Sequence, residues 1–500
     1  MSTGKVWLVG AGPGDAGLFT RKGYEVLKAA EVVVYDSLVG AGVLSMIPKE
    51  AKTIDVGKRA SHHTMPQEEI NRVLLREAEK GRRVVRLKGG DPFLFGRGGE
   101  ELELLAEHGI PYEVVPGVTS PLAVPAYNGI PVTHRDFTSS LHIITGHKRA
   151  GQEYDIDFEA LVRTRGTLVF LMGVTALPDI CERLLAAGME PDMPAAILQK
   201  GTTARQKRIV STVAELPGEV ARRGIETPAI IVVGKVCSLA DKFAWYEELR
   251  LFGYKVLVTR PRELVSTMAR KLREQGAEVL ELPAIATVKM KDNERLRQAL
   301  EKIEQYTWVA FTSPTGVRIF MEELAETGTD IRKLAGLKIA AIGEGTKKAL
   351  RERGLVADLM PEVYDGASLG EALVGVCTAE DFILLPRAKA GSREILEKLE
   401  GVKVDDVPTY ETFSEKQDFI DESALFGPGG VDCAVFTSAS TVRGFAEAAP
   451  DLDFGQVTAA CIGKQTKAAA DALGMRTYMA DRATIDSVVE LVIKLKENRA

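Results

Sequence analysis

The chain has 500 residues, 45% of them apolar and 27% charged, with a formal net charge of -6. At roughly 150 residues per domain this length predicts three or four domains, and the composition is that of a globular protein, not a fibrous or disordered one. The negative balance gives no global pull toward nucleic acid, no segment holds the ~18 uninterrupted apolar residues of a membrane span, and the N-terminus lacks the basic-then-apolar pattern of a signal peptide or anchor.

Strand-like runs alternate with amphipathic stretches along the chain: VWLVG at 6–10, EVVVYD at 31–36, RRVVRL at 82–87 and PAIIVVG at 228–234. That alternation predicts α/β units with largely parallel sheets. The first strand runs into Gly10-Ala11-Gly12-Pro13-Gly14-Asp15, ahead of a helical pattern. Glycines there let the backbone approach a ligand and leave amide donors free. A dinucleotide site would use Asp36 as its ribose carboxylate, but GxGxxG counted from Gly10 needs glycine where this chain has Asp15. A second glycine-rich loop, RLKGGDPFLFGRGGE at 86–100, follows another strand at the end where α/β sheets bind ligands. It lacks GK[ST] and is no phosphate loop.

Individual residues carry bland readings beside these. Asp36 at a strand end fits a helix cap, and Lys58 fits a solvated surface charge. His62-His63 has no third ligand at metal spacing and reads as a loop. His134 and His147 fit polar cleft linings or structural groups. Met172 fits core filling as well as a pocket wall. The five cysteines, Cys181, Cys237, Cys377, Cys433 and Cys461, stand singly. That pattern argues against a zinc site or disulfide framework and predicts a reducing, cytoplasmic setting.

With GAGPGD at 10–15, YDSLVG at 35–40, VGKR at 56–59, RLKGGDPFLFGRGGEE at 86–101, VPGVTSPLAVPAYNGIPVTHRD at 115–136 and FLMG at 170–173, residues 1–240 resemble uroporphyrinogen-III C-methyltransferase, of the tetrapyrrole methylase family. The resemblance implies two α/β lobes, about 1–135 and 136–240, with S-adenosylmethionine between them, and a homodimer through this half. It assigns the donor pocket to Pro13, Gly89, Gly90, Asp91, Leu94, Thr119, Ser120, Met172, Gly201 and Ala229. Asp36 matches the proton acceptor and Lys58 the proton donor, which suits a reaction that leaves a cationic pyrrole. Backbone amides and Asp91 suit the amino-acid end of the donor, and Leu94 and Met172 suit adenine. Asn128 and Gly40 depart from the family pattern, and neither is expected to touch the donor loop.

After a short amphipathic linker at 241–253 a new strand, VLVTRP, begins an internal repeat. VLVTRP at 256–261 matches ILLPRA at 383–388, VAFTSPTGVRIF at 309–320 matches AVFTSASTVRGF at 434–445, and AAIGEGTKKA at 340–349 matches ACIGKQTKAA at 460–469. In this order the segments resemble uroporphyrinogen-III synthase over 254–500. The resemblance implies a lobe of about 254–285 plus 414–500, with a second lobe, about 286–413, inserted through connectors near 282–288 and 405–413. The substrate it implies is hydroxymethylbilane, whose eight carboxylates call for a cleft of anion-directed donors. Arg260, Ser313, Thr346, Arg387, Ser438 and Thr466 are the candidates, although each hydroxyl also fits a helix cap. Tyr410 fits either help with water loss or connector packing. No metal or organic cofactor is implied for this half.

The combined expectation is one chain that makes uroporphyrinogen III from the bilane and methylates it to precorrin-2, toward sirohaem or cobalamin. Two alternatives are a C-terminal ligand-binding module without activity and an N-terminal half acting on a later corrin.

Overall fold

A computed structural model describes residues 4–57, 65–146, 155–259, 267–282, 285–414 and 425–498. Lys58, His62, His63, His147 and Arg260 lie outside the described residues. Twenty strands among the described residues form four five-stranded sheets.

The first sheet comprises β1 (Lys5–Gly10), β2 (Val32–Tyr35), β3 (Lys52–Asp55), β4 (Arg83–Lys88) and β5 (Tyr112–Val115). They lie in the order β3-β2-β4-β1-β5, all parallel. A parallel sheet is covered on both faces, so its strands read as unbroken apolar runs. Residues VVVY of β2 are all buried, and β1 sends Val6 and Leu8 into one core and Val9 into the other.

The second sheet comprises β6 (Leu141–Thr145), β7 (Thr167–Leu171), β8 (Pro194–Gln199), β9 (Lys207–Thr212) and β10 (Ala229–Val233), in the order β6-β7-β10-β8-β9. Only β6 and β7 are parallel; β10 runs against both β7 and β8, and β8 against β9. The apolar runs do not foretell this change of direction, because strands covered on both faces look alike in either orientation. Segment 241–253 is a packed joint. Tyr246 and Leu251 are buried, Trp245 donates its indole N–H to the Ala126 carbonyl at 2.9 Å, and Tyr127 packs on Trp245 and Tyr246.

The remaining strands are β11 (Lys255–Thr259), β12 (Glu278–Glu281), β13 (Ile285–Lys289), β14 (Trp308–Phe311), β15 (Lys338–Ala341), β16 (Phe382–Ala388), β17 (Lys403–Ser414), β18 (Cys433–Phe436), β19 (Thr458–Cys461) and β20 (Arg476–Met479). The third sheet is β12-β11-β18-β19-β20 and the fourth is β13-β17-β16-β14-β15. The repeated segments fall on β11 and β16, on β18 and β14, and on β19 and β15, in the same lateral order in both sheets. Chain order differs between them: the third sheet is begun by β11 and β12 and finished by β18, β19 and β20, with the whole fourth sheet in between. The two crossings pair with each other, β13 running antiparallel to β17 from Ile285 against Ser414 to Lys289 against Tyr410. Pairing gives both extended crossings the backbone partners that single strands lack.

No helix among the described residues is long and apolar enough to cross a membrane.

Candidate active site

The order of the first sheet sets the carboxyl ends of β4 and β1 side by side, with those of β2 and β5 flanking them. The loops at these ends are stitched together by backbone. Gly12 and Gly90 exchange N–H···O bonds of 3.2 and 2.8 Å, and the Ala11 N–H donates to the Lys88 carbonyl at 2.7 Å. A Cβ on Gly10 would lie 2.5 Å from Gly117 Cα and 2.6 Å from the Gly90 oxygen, so only glycine lets the three loops meet. Asp91 accepts from the N–H groups of Phe93 (2.8 Å), Leu94 (3.2 Å) and Gly117 (3.0 Å). Its carboxylate therefore organises the loop, which modifies the direct donor contact expected of it. The amides of Gly89 and Gly90 and the start of helix Ser120–Tyr127, where Thr119 and Ser120 sit, lie at this edge.

The second sheet brings its own edge to the same place. Met172 follows β7, Gly201 follows β8 and Ala229 opens β10, and because β10 is antiparallel to both, these three share one end of the sheet. Met172 is 53% exposed, which removes the core-filler reading. The edges join where the Asp15 N–H donates to Thr202 Oγ1 at 3.1 Å and Tyr127 donates its hydroxyl to Asp15 at 2.9 Å. Pro13, Gly89, Gly90, Asp91, Leu94, Thr119 and Ser120 thus lie at the edge of the first sheet, and Met172, Gly201 and Ala229 at that of the second.

Strain concentrates here. Of seven non-glycine residues at positive φ among the described residues, five lie in these loops: Phe95, Arg97, Met172, Lys200 and Thr202. Each such conformation costs on the order of 1–3 kcal/mol and persists only when the surroundings fix it. Gly40 requires a correction. A Cβ at position 40 would lie 2.8 Å from the Gly14 oxygen, so this departure does touch the donor loop, and glycine there lets the two turns approach. Asn128 is buried and donates to the Val124 carbonyl within its own helix turn.

Asp36 ends β2. One carboxylate oxygen accepts from the Leu38 N–H at 3.1 Å, a local turn bond, and the other is 3.2 Å from Arg86 Nη2. Arg86 is buried and lies 3.2 Å from Glu101, which is fully buried and 2.7 Å from the Lys88 ammonium. Burial, and then the Arg86 charge, hold Lys88 below the usual lysine range, against the pull of Glu101. Two cations and two carboxylates alternate through this chain, as buried charges must if they are to remain ionised. Sequence reasoning passed over Arg86, Lys88 and Glu101. The available signal was the i, i+2 spacing of two cations on one face of an otherwise apolar strand.

In the second half, Ser313 accepts from the Gly316 N–H at 2.9 Å and caps helix Pro314–Glu326; Ser438 accepts from the Thr441 N–H at 3.2 Å and caps helix Ala439–Ala448. Thr346 and Thr466 are buried in the first turns of helices Glu344–Arg351 and Lys464–Asp471. Arg387 departs from its expected role. Its guanidinium binds Asp406 through two bonds of 2.6 and 2.8 Å and the Ser392 carbonyl at 2.7 Å, so its carboxylate partner is internal. Tyr410 is buried with its hydroxyl 2.8 Å from Ser313 Oγ, and burial raises its pKa.

Two α/β enzymes joined in one chain are what family matches also find. Residues 5–217 match the family described as Tetrapyrrole (Corrin/Porphyrin) Methylases and residues 266–490 that described as Uroporphyrinogen-III synthase HemD. A "Porphyrin biosynthesis protein HemD" of Ruminiclostridium josui is 47% identical over 99% of both chains. A "Uroporphyrinogen-III C-methyltransferase" of Bacillus subtilis is 42% identical over 72% of this chain and 74% of its own. A "Siroheme synthase" of Citrobacter koseri is 52% identical over 49% of this chain and 52% of its own. The chain therefore belongs to the family of tetrapyrrole-biosynthesis enzymes that join a uroporphyrinogen-III C-methyltransferase to a uroporphyrinogen-III synthase.

Proposed function

We propose that the C-terminal half closes hydroxymethylbilane to uroporphyrinogen III, with inversion of the last ring and loss of water, and that the N-terminal half methylates the product at C2 and C7 to give precorrin-2. The observation that carries the methylase reading is the meeting of two loop-bearing sheet edges at Asp15 and Thr202, within the loops that carry Pro13 and Gly201. Its fit to S-adenosylmethionine rests on chemistry and space: the Gly89 amide and the start of helix Ser120–Tyr127 are offered to an amino-acid end, Leu94 and Met172 offer apolar surface, and nothing lies within 4 Å of a Cβ built on Gly90. The donor supplies the methyl group. Asp36, held by Arg86, accepts the proton that the methylated pyrrole must lose, and Lys58 is its donor counterpart by resemblance.

In the synthase half the electron-rich pyrroles supply most of the driving force, so the protein's task is orientation. The amides at the helix starts capped by Ser313 and Ser438, those beside Thr346 and Thr466, and Arg260 take substrate carboxylates. Tyr410, steadied by Ser313, is placed to assist loss of water. The homodimer, the cytoplasmic setting and the route to sirohaem or cobalamin follow from the same family reading.

The test is to supply the purified chain with hydroxymethylbilane, with and without S-adenosylmethionine, and identify products. Type III isomer without donor and twofold methylation with it are expected. Absence of the isomer sinks the cyclising reading and leaves a binding module; isomer without methyl incorporation moves the methylase to a later corrin. Asp36→Ala should slow methylation by about 100-fold or more and leave cyclisation unchanged.

A further inference from the structure

The loop 200–206 carries Gly201, one wall of the proposed donor pocket, and the role assigned to this loop rests on that proposal. Lys200 (φ +46) and Thr202 (φ +67) hold backbone conformations that side-chain-bearing residues rarely adopt. Part of the restraint is local. The Thr202 N–H donates to Gln206 Oε1 at 2.9 Å, Gln206 donates to the Tyr127 carbonyl at 3.1 Å, and Thr203 Oγ1 donates to the Lys200 carbonyl at 2.7 Å.

Asp15, whose N–H donates to Thr202 Oγ1 at 3.1 Å, and the Pro228 carbonyl, which accepts from the Lys200 N–H at 3.0 Å, add to it from the same half, and further restraint comes from the other enzyme. The Ala204 N–H donates to Glu278 Oε2 at 2.9 Å, and Glu278 is at the start of β12 in the synthase half. Arg205 donates to the Gly253 carbonyl at 3.0 Å, the Gly430 carbonyl at 2.9 Å and Asp432 Oδ2 at 3.1 Å. Both carboxylates are themselves fixed on β11: Lys255 Nζ lies 3.0 Å from Glu278 Oε1, and the Lys255 N–H donates to Asp432 Oδ2 at 2.8 Å. A narrow cleft between the halves is lined by Gly14, Asp15, Thr202, Tyr246, Arg273 and Glu278. The donor-side turn and the synthase sheet therefore share one seam.

We infer that the synthase half completes the methyl-donor site: Glu278 and Asp432, the latter through Arg205, are positioning residues that hold the strained loop 200–206 in its donor-facing form. A contact that merely glued two domains would grip relaxed surface elements; these grip, at Ala204 and Arg205, a methylase loop whose strained residues Lys200 and Thr202 flank Gly201. Coupling of this kind is reciprocal, so donor binding tightens the seam by the same factor.

The full-length chain tests this with S-adenosylhomocysteine as probe, by calorimetry, alongside methylation kinetics, cyclisation rate and thermal unfolding. Glu278→Ala and Arg205→Ala are each expected to raise the probe Kd and the donor KM roughly five- to tenfold, with kcat for methylation within about twofold. Cyclisation should be unchanged. Glu278→Gln keeps an oxygen for the Ala204 N–H and should restore binding, whereas a purely ionic seam would not be restored. In a Lys200→Gly background, where one strained residue is relieved, Glu278→Ala should cost less than it does alone. Unchanged Kd in both alanine variants, with or without a lower unfolding temperature, overturns the inference. So does a parallel fall of kcat and cyclisation, which marks a general loss of fold. Wild-type chain that does not bind the probe at all overturns the donor-site reading itself, a distinct result.

Discussion

Both halves place their candidate groups at the ends of strands, yet they build those ends differently. The methylase half crowds three glycine loops to contact distance and stacks five strained residues around them, while the synthase half has Asp292 alone at positive φ outside glycine among the described residues. Its serines are ordinary helix caps. The difference tracks the chemistry proposed for each. A compact donor must be held at one point by close backbone, whereas a long, flexible polyanion needs many amides spread over a wide cleft. It also explains why long, ordered motifs mark the first half and only short repeated ones mark the second.

The sharpest way to break this comparison is at the loop junction. A Cβ at position 117 would lie 2.2 Å from the Gly90 oxygen and 2.7 Å from Gly10 Cα. Gly117→Ala must separate the loops, and binding of S-adenosylhomocysteine should fall by about 100-fold or more while cyclisation persists, a loss of roughly 3 kcal/mol at the site. Gly463→Ala in the repeated CIGKQT loop meets nothing within 4 Å, and should leave both activities as they are. Equal tolerance at both positions would show that close backbone approach is not what distinguishes the halves.

The buried arginines test the same comparison through stability rather than binding. Arg86→Met leaves fully buried Glu101 with Lys88 as its remaining close cation and frees Asp36; the methylase half should lose about 3–5 kcal/mol by urea unfolding. Arg387→Met strands only Asp406, whose side chain is 34% exposed, and should cost about 1–2 kcal/mol, since water can solvate the carboxylate. Similar losses would mean that Asp406 is more desolvated than its exposure indicates.

Much of the fold was legible, for physical reasons that also set its limits. Apolar runs such as the VVVY of β2 follow from burial on both faces, and the glycine loops announce themselves because no other residue fits Gly10 or Gly117. The repeat located equivalent strands because the same sheet position demands the same residues. Direction was not legible: β10 reads the same whichever way it runs. Membership of the proposed donor pocket came through resemblance, and the two sheet edges that carry it meet only through tertiary contacts such as Asp15 with Thr202. The chain of charges behind Asp36 was missed because Arg86 and Lys88 look, in sequence, like any strand-end cations; only the burial of Glu101 opposite them gives them meaning. The role expected of Arg387 failed for the same reason, its internal partner Asp406 being 19 residues away.

Acid sensitivity gives a smaller contrast. Burial would raise the pKa of Glu77, but Lys52 and Lys80 outweigh it and bring it down to about 2 from the ordinary 4.5. Because the folded value is depressed, the stabilisation is complete above pH 4.5 and is lost as pH falls toward 2, which corresponds to roughly 2–3 kcal/mol for the methylase half, the partly exposed lysines screening some of it. Glu77→Gln should flatten that part of the stability profile and leave it unchanged near neutrality apart from a constant offset. In the synthase half Glu323 is lowered as well, by Lys289 and Arg297 against its own burial, so its transition should survive in the Glu77→Gln protein and serve as an internal reference.

The smallest expected effect separates capping from catalysis. Ser438 caps its helix with a 3.2 Å bond from the Thr441 N–H, and the Thr441 side chain in turn accepts from the Ser438 N–H at 3.3 Å. Ser438→Ala removes one of these two bonds and should cost about 1 kcal/mol of synthase-half stability, with cyclisation slowed by less than about threefold, because the helix-start amides proposed to meet the substrate remain. Thermal unfolding and the bilane-to-isomer rate, measured on the same preparation, decide between the two roles. A tenfold slower cyclisation at undiminished stability would make Ser438 a substrate contact, and the synthase half would then depend on specific side chains as strongly as the methylase half depends on its glycines.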